Sequence, residues 1–349
     1  MSIRRFLTKL LAAAMIAGGF ASSQAQSQKR ARVFGAAFYN LENLFDTINN
    51  NGKYDLEFSP KGSRKWDGNK YWVKINNIAY VISQMKNKLT PMGPAVIGVS
   101  EIENITVLRD LVKAKAIAGD SLRIVHHDSP DRRGVDVGML YNPRLFKLIN
   151  VTNHLLYIDS LPRFRTRDQM CVVGLMGGSR VGIIVNHWPS RYGGEDKSSP
   201  LREAAAALTR HIADSLLQVD PKMAVIVMGD LNDDPMNRSV SQVLLGRRDA
   251  SKVAPGEFFN PFWKKLDDGI GSYIYRGGWN LFDQILVNYN LLKGANGLKF
   301  YKAEVLNKDF LKQQEGQYKG YPLRTYSSGV WTKGYSDHFP TEIYLIKEK

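Results

Sequence analysis

Six short segments place chemically capable side chains where apolar stretches stop. In chain order they are Ala37-Phe38-Tyr39-Asn40-Leu41-Glu42-Asn43, Ile97-Gly98-Val99-Ser100-Glu101, Ile183-Ile184-Val185-Asn186-His187-Trp188, Val225-Ile226-Val227-Met228-Gly229-Asp230-Leu231-Asn232, Trp279-Asn280-Leu281-Phe282-Asp283-Gln284-Ile285 and Ser336-Asp337-His338-Phe339-Pro340. At Asp230 and Asn232 an acid and an amide emerge together from one apolar run, which suits work on a phosphate or a bound water. Asp and Asn also make ordinary turns after strands, so that segment taken alone carries either reading. Adjacent Asp337 and His338 suit metal ligation or proton transfer, because imidazole titrates near neutral pH. Asp283 interrupts an apolar run, where an acid is costly to bury unless it is paired. A histidine is a natural partner for it.

Such residues need a scaffold that carries distant strand ends to one place. Val- and Ile-rich runs at 33–39, 95–100, 135–141, 181–185, 224–228, 282–287 and 342–346 read as strands. Helical patterning marks 71–88, 106–118 and 201–217; in the last, Leu201, Ala205, Leu208, Ile212 and Leu216 recur at helical spacing and would bury one face. This alternation predicts a layered α/β fold with a predominantly mixed sheet. Residues 49–67, 190–200 and 246–278 read as loops from their Gly, Ser, Asn and Pro content. No repeat and no featureless linker divides the chain, so residues 26–349 read as one domain.

Apolar residues make up 44% of the 349 and charged residues 23%, which excludes disorder for most of the chain. Arg4, Arg5 and Lys9 precede the apolar stretch 10–20, and Ala21, Ser22, Ser23 and Ala25 follow, the order of a secretory signal cut after Ala25. The stretch falls short of the roughly 20 residues that span a bilayer, and no lipoprotein cysteine follows it. The expectation is a periplasmic or secreted monomer without stable membrane insertion. Cys171, the only cysteine, lies in the apolar run 170–173 and reads as buried filler rather than a nucleophile. Loss of three cations with residues 1–25 takes the net charge from +15 to +12, an excess that favours polyanions such as nucleic acid or anionic lipid.

Taken in order, the six segments give amide, acid, histidine, Asp-x-Asn, acid and Asp-His. This set resembles the endonuclease/exonuclease/phosphatase (deoxyribonuclease I-like) superfamily over about residues 33–346; Gly229-Asp230-Leu231-Asn232 and Ser336-Asp337-His338 are its most specific pieces. The resemblance implies an α/β (α+β) fold, a four-layer sandwich of two packed mixed β-sheets flanked by helices. It also implies a metal-dependent phosphoric ester hydrolase using Mg²⁺ (or Mn²⁺). Glu101 would be the principal metal carboxylate, Asp337 a weaker ligand, and Asn40 the amide beside metal or phosphate. Asp230 would orient or deprotonate the attacking water, and Asn232 would hold a non-bridging phosphate oxygen. Asp283 and His338 would form an acid–imidazole pair, and His187 would serve the leaving group or the phosphate. Whether Asp230 or the His338–Asp283 pair is the general base stays open, as does one metal against two.

Three subtler clusters accompany these. Arg133, in Asp131-Arg132-Arg133-Gly134-Val135-Asp136, is a candidate for phosphate contact, and Asp136 reads as a structural partner of a nearby cation. Arg163, Arg165 and Arg167 alternate and would share one face of an extended segment, either a solvated edge or a groove along a phosphate backbone. Trp188, Arg191 and Tyr192, with Arg202 beyond them, could stack on and clamp a base or sugar beside His187. The leading expectation is an exported nuclease or related phosphodiesterase with nucleic acid as partner. The alternative is a lipid or inositol-phosphate phosphoesterase, for which 258–263 is the candidate membrane-facing segment. A binding module with a dead site comes third, because the acids, amides and histidines form an intact set.

Overall fold

The computed structural model describes residues 31–48 and 57–348; the expected signal lies outside them. Strands β1 (Ala31–Leu44), β2 (Val96–Ile102), β3 (Arg123–His126) and β4 (Asp136–Tyr141) join the later strands Leu298–Val305 and Thr341–Glu348 in a six-stranded sheet. Its order is Leu298–Val305, Thr341–Glu348, β1, β2, β4, β3. Strands β5 (Phe146–His154), β6 (Gln169–Met176), β7 (Ser179–His187) and β8 (Ala224–Asp230) begin a seven-stranded sheet. It continues through Asp283–Asn288, Phe258–Phe259 and Gly246–Arg247. Both sheets are mixed. Strand β1 is parallel to β2 and β7 to β8, whereas Thr341–Glu348 and Asp283–Asn288 run antiparallel to β1 and β8.

Strand β8 shows why these runs are apolar at every position. Ala224, Ile226 and Met228 enter the core between the sheets with Phe34, Phe38, Ile183 and Ile285. Val225 and Val227 enter a second core with Ala205, Ala206 and Ile212 of helix α3 (Glu195–Val219) once α1 (Gly68–Ser83) and α2 (Ile105–Lys113) have been passed in the chain. On the opposite side Ile97 and Val99 of β2 pack with Ile75 and Ile78 of α1 and Leu108 of α2. Strands buried on both faces lose the alternation of half-exposed ones. The result is the expected four layers, helix, sheet, sheet, helix. Close approach of the sheets needs Gly98, where a Cβ would come within 2.6 Å of Met228 Sδ. Cys171 lies buried in β6, and burial pushes its thiol up to about 11, as befits filler.

Two expectations are corrected. The loop reading of 190–200 fails because α3 starts at Glu195 and contains Pro200. Proline forfeits one helical hydrogen bond there, but tertiary anchors hold the entry: Ser198 Oγ donates to the Gly194 carbonyl (2.7 Å), and Arg202 Nε lies 2.7 Å from Asp233. The segment 258–263 does not face a membrane, since Phe258 and Phe262 are buried in the protein core. Among the described residues no helix is long and apolar enough to cross a membrane.

Glu342, on Thr341–Glu348, is buried with Oε2 bonded to the Tyr344 hydroxyl (2.9 Å) and Oε1 without a partner. Burial pushes its carboxyl up to about 8. A carboxyl raised on folding contributes stability that is full below its unfolded pKa and is lost as pH climbs through the folded one. Glu342→Gln should therefore match the wild type near pH 4 and exceed it by on the order of 2–4 kcal/mol at pH 9. Denaturant titration at the two pH values measures this; an equal difference at both would refute it.

Candidate active site

Register delivers the candidate residues to one edge. Asn40 on β1 pairs with Ser100, the neighbour of Glu101 on β2. His187, at the end of β7, lies opposite Asp230 at the end of β8, and Asp230 lies opposite Asp283 on the antiparallel strand beyond. A hydrogen bond then joins the two sheets: Asn40 Nδ2 donates to Asp230 Oδ2 at 3.0 Å. That oxygen is the focus of the site, with His187 Nε2 at 3.7 Å and His338 Nε2 at 3.8 Å. Glu101 Oε1 lies 4.0 Å from the same His187 nitrogen. His338 Nδ1 and Asp283 Oδ2 are 2.7 Å apart, and the Ser272 hydroxyl donates to that carboxylate oxygen at 2.6 Å.

The backbone bends sharply to make this edge. Glu42, Asn43, Glu101 and Asn232 all adopt left-handed conformations (φ 48°, 51°, 58° and 51°). Non-glycine residues pay strain for that, and such strain gathers at functional sites. Each turn is held by contacts. Asn43 N–H donates to Glu101 Oε2 (2.9 Å), and Asn232 N–H donates to Asp230 Oδ1 (3.0 Å). The Asn232 side chain donates to the Trp188 carbonyl (3.0 Å), and its own carbonyl accepts from Arg191 Nε (2.9 Å). Gly229 is obligatory, because a Cβ there would sit 2.3 Å from the Asn186 carbonyl oxygen.

Electrostatics separate the four ionisable groups. Burial and the nearby Asp283 push Asp230 up to about 6 against the pull of His338, so it is a carboxylate at neutral pH. Burial opposes charge on His338, yet Asp283 and Asp230 raise it well above the usual imidazole value. Burial and Arg167 hold His187 well below that value, so it is neutral. With carboxylates facing Nε2 and no partner on its buried Nδ1, the tautomer protonated at Nε2 is favoured. Burial alone would raise Glu101, but the Arg133 guanidinium holds it far below the ordinary carboxylate range.

The donor set fits a hard divalent cation. Glu42, Glu101, Asp230, Asp283 and Asp337 bring five carboxylates to this region against four cations, Lys74, Arg133, Arg324 and the His338 imidazolium. Oxygen donors of this kind suit Mg²⁺ or Mn²⁺. Ligand atoms of Asp230, Asp283 and His338 lie within 4.8 Å of one another, but Asp283 and His338 already satisfy each other. Glu101, whose oxygens accept from Asn43 N–H and face Arg133, keeps 13% side-chain exposure toward the site.

Other candidates take different places. Arg133 reaches Glu101 Oε1 at 3.3 Å and also bonds the Asn43 side chain. The Asn40 amide is engaged at both ends, since its Oδ1 accepts from Glu42 N–H (2.9 Å), so it acts on Asp230. Asp337 pairs with Arg324 Nη2 (2.9 Å) and lies 3.8 Å from His338 Nε2. Trp188 must be corrected: the ring is 1% exposed within the core under α3, its Nε1 bonded to Asn186 Oδ1, and it cannot stack on substrate. Arg191 is likewise committed, to Asn232, Glu195, Asp233 and Asn237. Arg163, Arg165 and Arg167 do not share a face; Arg167 is buried against Asp131, and the other two are exposed. Asp136 has an imidazole partner, His126 at 3.0 Å.

Residues without a sequence signal complete the site. Tyr273 stacks on the His338 ring (centroids 4.5 Å apart) and with Ser272 comes from the stretch read as loop. Arg324 bridges Asp337 and Glu42, and no motif marked it. Glu42 lay inside the Asn40 segment, but its role depends on Thr325, whose N–H reaches it at 2.6 Å from nearly 300 residues away.

The sequence model of the Endonuclease/Exonuclease/phosphatase family matches residues 35–347. A search of curated proteins finds no significant match. Among solved structures, TDP2 from Caenorhabditis elegans is similar at 14% identity and TM-score 0.54, over 90% of this chain and 75% of that one. A mannosyl-6-phosphatase from Bacteroides thetaiotaomicron is similar at 16% identity and TM-score 0.54, over 89% and 99%. At such identities these likenesses speak for the fold, whereas the family model spans almost the whole described chain and both sheets that build the site. This chain belongs to the endonuclease/exonuclease/phosphatase family and is a metal-dependent phosphoester hydrolase.

Proposed function

We propose that this protein is an exported phosphodiesterase that works with Mg²⁺, accepts Mn²⁺, and acts on small diesters. The observation that carries the chemistry is the convergence of Glu101, His187, Asp230 and the His338–Asp283 pair on one point. Glu101 would hold the divalent ion, which would supply charge compensation to a phosphoryl oxygen. Asp230, fixed by Asn40 and the Asn232 N–H, takes the proton of the attacking water. His338, kept as imidazolium by Asp283, donates to the phosphoryl oxygens as their charge grows. Neutral His187 presents its Nε2–H toward the leaving oxygen.

Compact substrates are favoured because two features expected of a polymer-tracking groove lie elsewhere, Trp188 in the core and Arg167 in a buried pair. Nucleic acid is the second reading, supported by the +12 charge that remains without residues 1–25. The secretory pattern of residues 1–25 supports export. The test is EDTA-stripped protein with bis-p-nitrophenyl phosphate, plasmid DNA or sphingomyelin vesicles, before and after adding Mg²⁺. Metal should restore hydrolysis of the small diester by at least about 100-fold. Cleavage of plasmid or lipid with none of the small diester would overturn the preference.

A further inference from the structure

A cavity of about 400 Å³ opens directly beside the catalytic residues, a volume in the range of small-molecule sites. Its inner wall is Tyr273 and Asp337, which touch or neighbour His338, with Arg324, which pairs with Asp337. One outer wall is the hairpin of Tyr273–Tyr275 and Gly278–Asn280, and the other comes from residues 313–328. The second wall is pinned. Buried Lys74 of α1 donates to Thr325 Oγ1 (2.6 Å) and to the Tyr335 carbonyl, and Glu42 accepts from both Thr325 N–H (2.6 Å) and Thr325 Oγ1 (2.7 Å). The cavity is thus formed before any ligand arrives, which lowers the entropic cost of binding.

Its chemistry is uneven. Tyr318 and Tyr321 present rings 5.7 Å apart, with Gln313 and Ser328 as neutral hydrogen-bonding groups beside them. Aromatic faces with such groups suit a sugar or nucleoside ring. At the hairpin tip stands Arg276, exposed and held in a left-handed conformation (φ 49°). Its guanidinium lies 5.2 Å over the Tyr275 ring, and among the described residues it forms no ion pair. Arg324, by contrast, is spent on Asp337 and Glu42. Exposed and without an ion pair among the described residues, Arg276 keeps its charge available at the cavity mouth. An unpaired guanidinium is a phosphate receptor by geometry and charge.

We propose that this cavity holds the non-reacting part of the substrate, a ring-bearing sugar or nucleoside whose second phosphate pairs with Arg276. The inference rests on the phosphodiesterase reading above and names its substrate class. Tyr318 and Tyr321 flank the ring, and the scissile phosphate lies on the Asp337 side, against His338. The second phosphate reaches the hairpin tip.

The test uses p-nitrophenyl diesters of a nucleoside 5′-phosphate and of a hexose 6-phosphate, each with and without a second phosphate (at O3′ or at C1). The full chain with Mg²⁺ should favour the doubly phosphorylated form of one pair by about tenfold in kcat/KM, and the favoured pair identifies the ring. Arg276→Gln should cut that ratio by at least about fivefold, mainly through KM, and Arg276→Lys should restore part of it. Tyr318→Ala should raise KM for the ring-bearing diesters relative to methyl p-nitrophenyl phosphate. A wild-type ratio near one, or a ratio unchanged in Arg276→Gln, would overturn the proposal. If bis-p-nitrophenyl phosphate also goes unhydrolysed, the phosphodiesterase reading itself falls.

Discussion

Asp230→Asn should lower kcat for diester hydrolysis by about 10³-fold or more while leaving the fold intact. The substitution keeps shape and volume in a buried position, so the two sheets still meet through residue 230. It removes the carboxylate oxygen that, among the described residues, faces both imidazoles, His187 at 3.7 Å and His338 at 3.8 Å. The pH profile gives a second readout. Asp230 must be ionised to accept a proton, and its carboxyl is held near 6, so wild-type kcat/KM should fall as pH drops through about 6. His338 must be protonated, so an alkaline limb should appear well above the ordinary imidazole value. The acid limb should vanish from the residual rate of Asp230→Asn, and a variant that retains both rate and limb would remove Asp230 from the mechanism.

Glu101→Gln should fail differently. Its carboxylate is held ionised by Arg133 at 3.3 Å despite burial, and it is the group proposed to bind the cation with the lone pairs that Arg133 and the Asn43 N–H leave over. Loss of that charge should weaken Mn²⁺ binding by at least about 100-fold, as isothermal titration would measure. Excess Mg²⁺ should then recover part of the lost kcat in Glu101→Gln and none of it in Asp230→Asn. Equal rescue of both variants, or wild-type Mn²⁺ affinity in Glu101→Gln, would contradict the division of labour between them.

The strands that carry the site were legible because both of their faces are buried. β2 and β8 read as unbroken apolar runs, and the polar residues that close them bring a site residue, Glu101 after Ser100 in one and Asp230 in the other. Strands with weaker patterns escaped notice. β5 lies at a sheet edge with several exposed positions, and Leu298–Val305 exposes Lys299 and Tyr301, so neither forms a greasy run. Long-range partners were invisible for a different reason. Ser272, Tyr273 and Arg324 matter only through Asp283, His338 and Asp337, and nothing local in their own segments encodes those contacts. Trp188 misled because an aromatic beside a strand-end histidine looks the same whether it faces substrate or the underside of α3. Burial decided it.

The most direct test is a crystal of the wild-type protein soaked with Mn²⁺ and inorganic phosphate, read from the anomalous difference map. The expected result is a manganese peak within about 2.3 Å of a Glu101 carboxylate oxygen, with phosphate oxygens in hydrogen-bonding reach of His338. Manganese seated between Asp283 and His338, or phosphate bound away from Asp230, would contradict the assignment of the catalytic site.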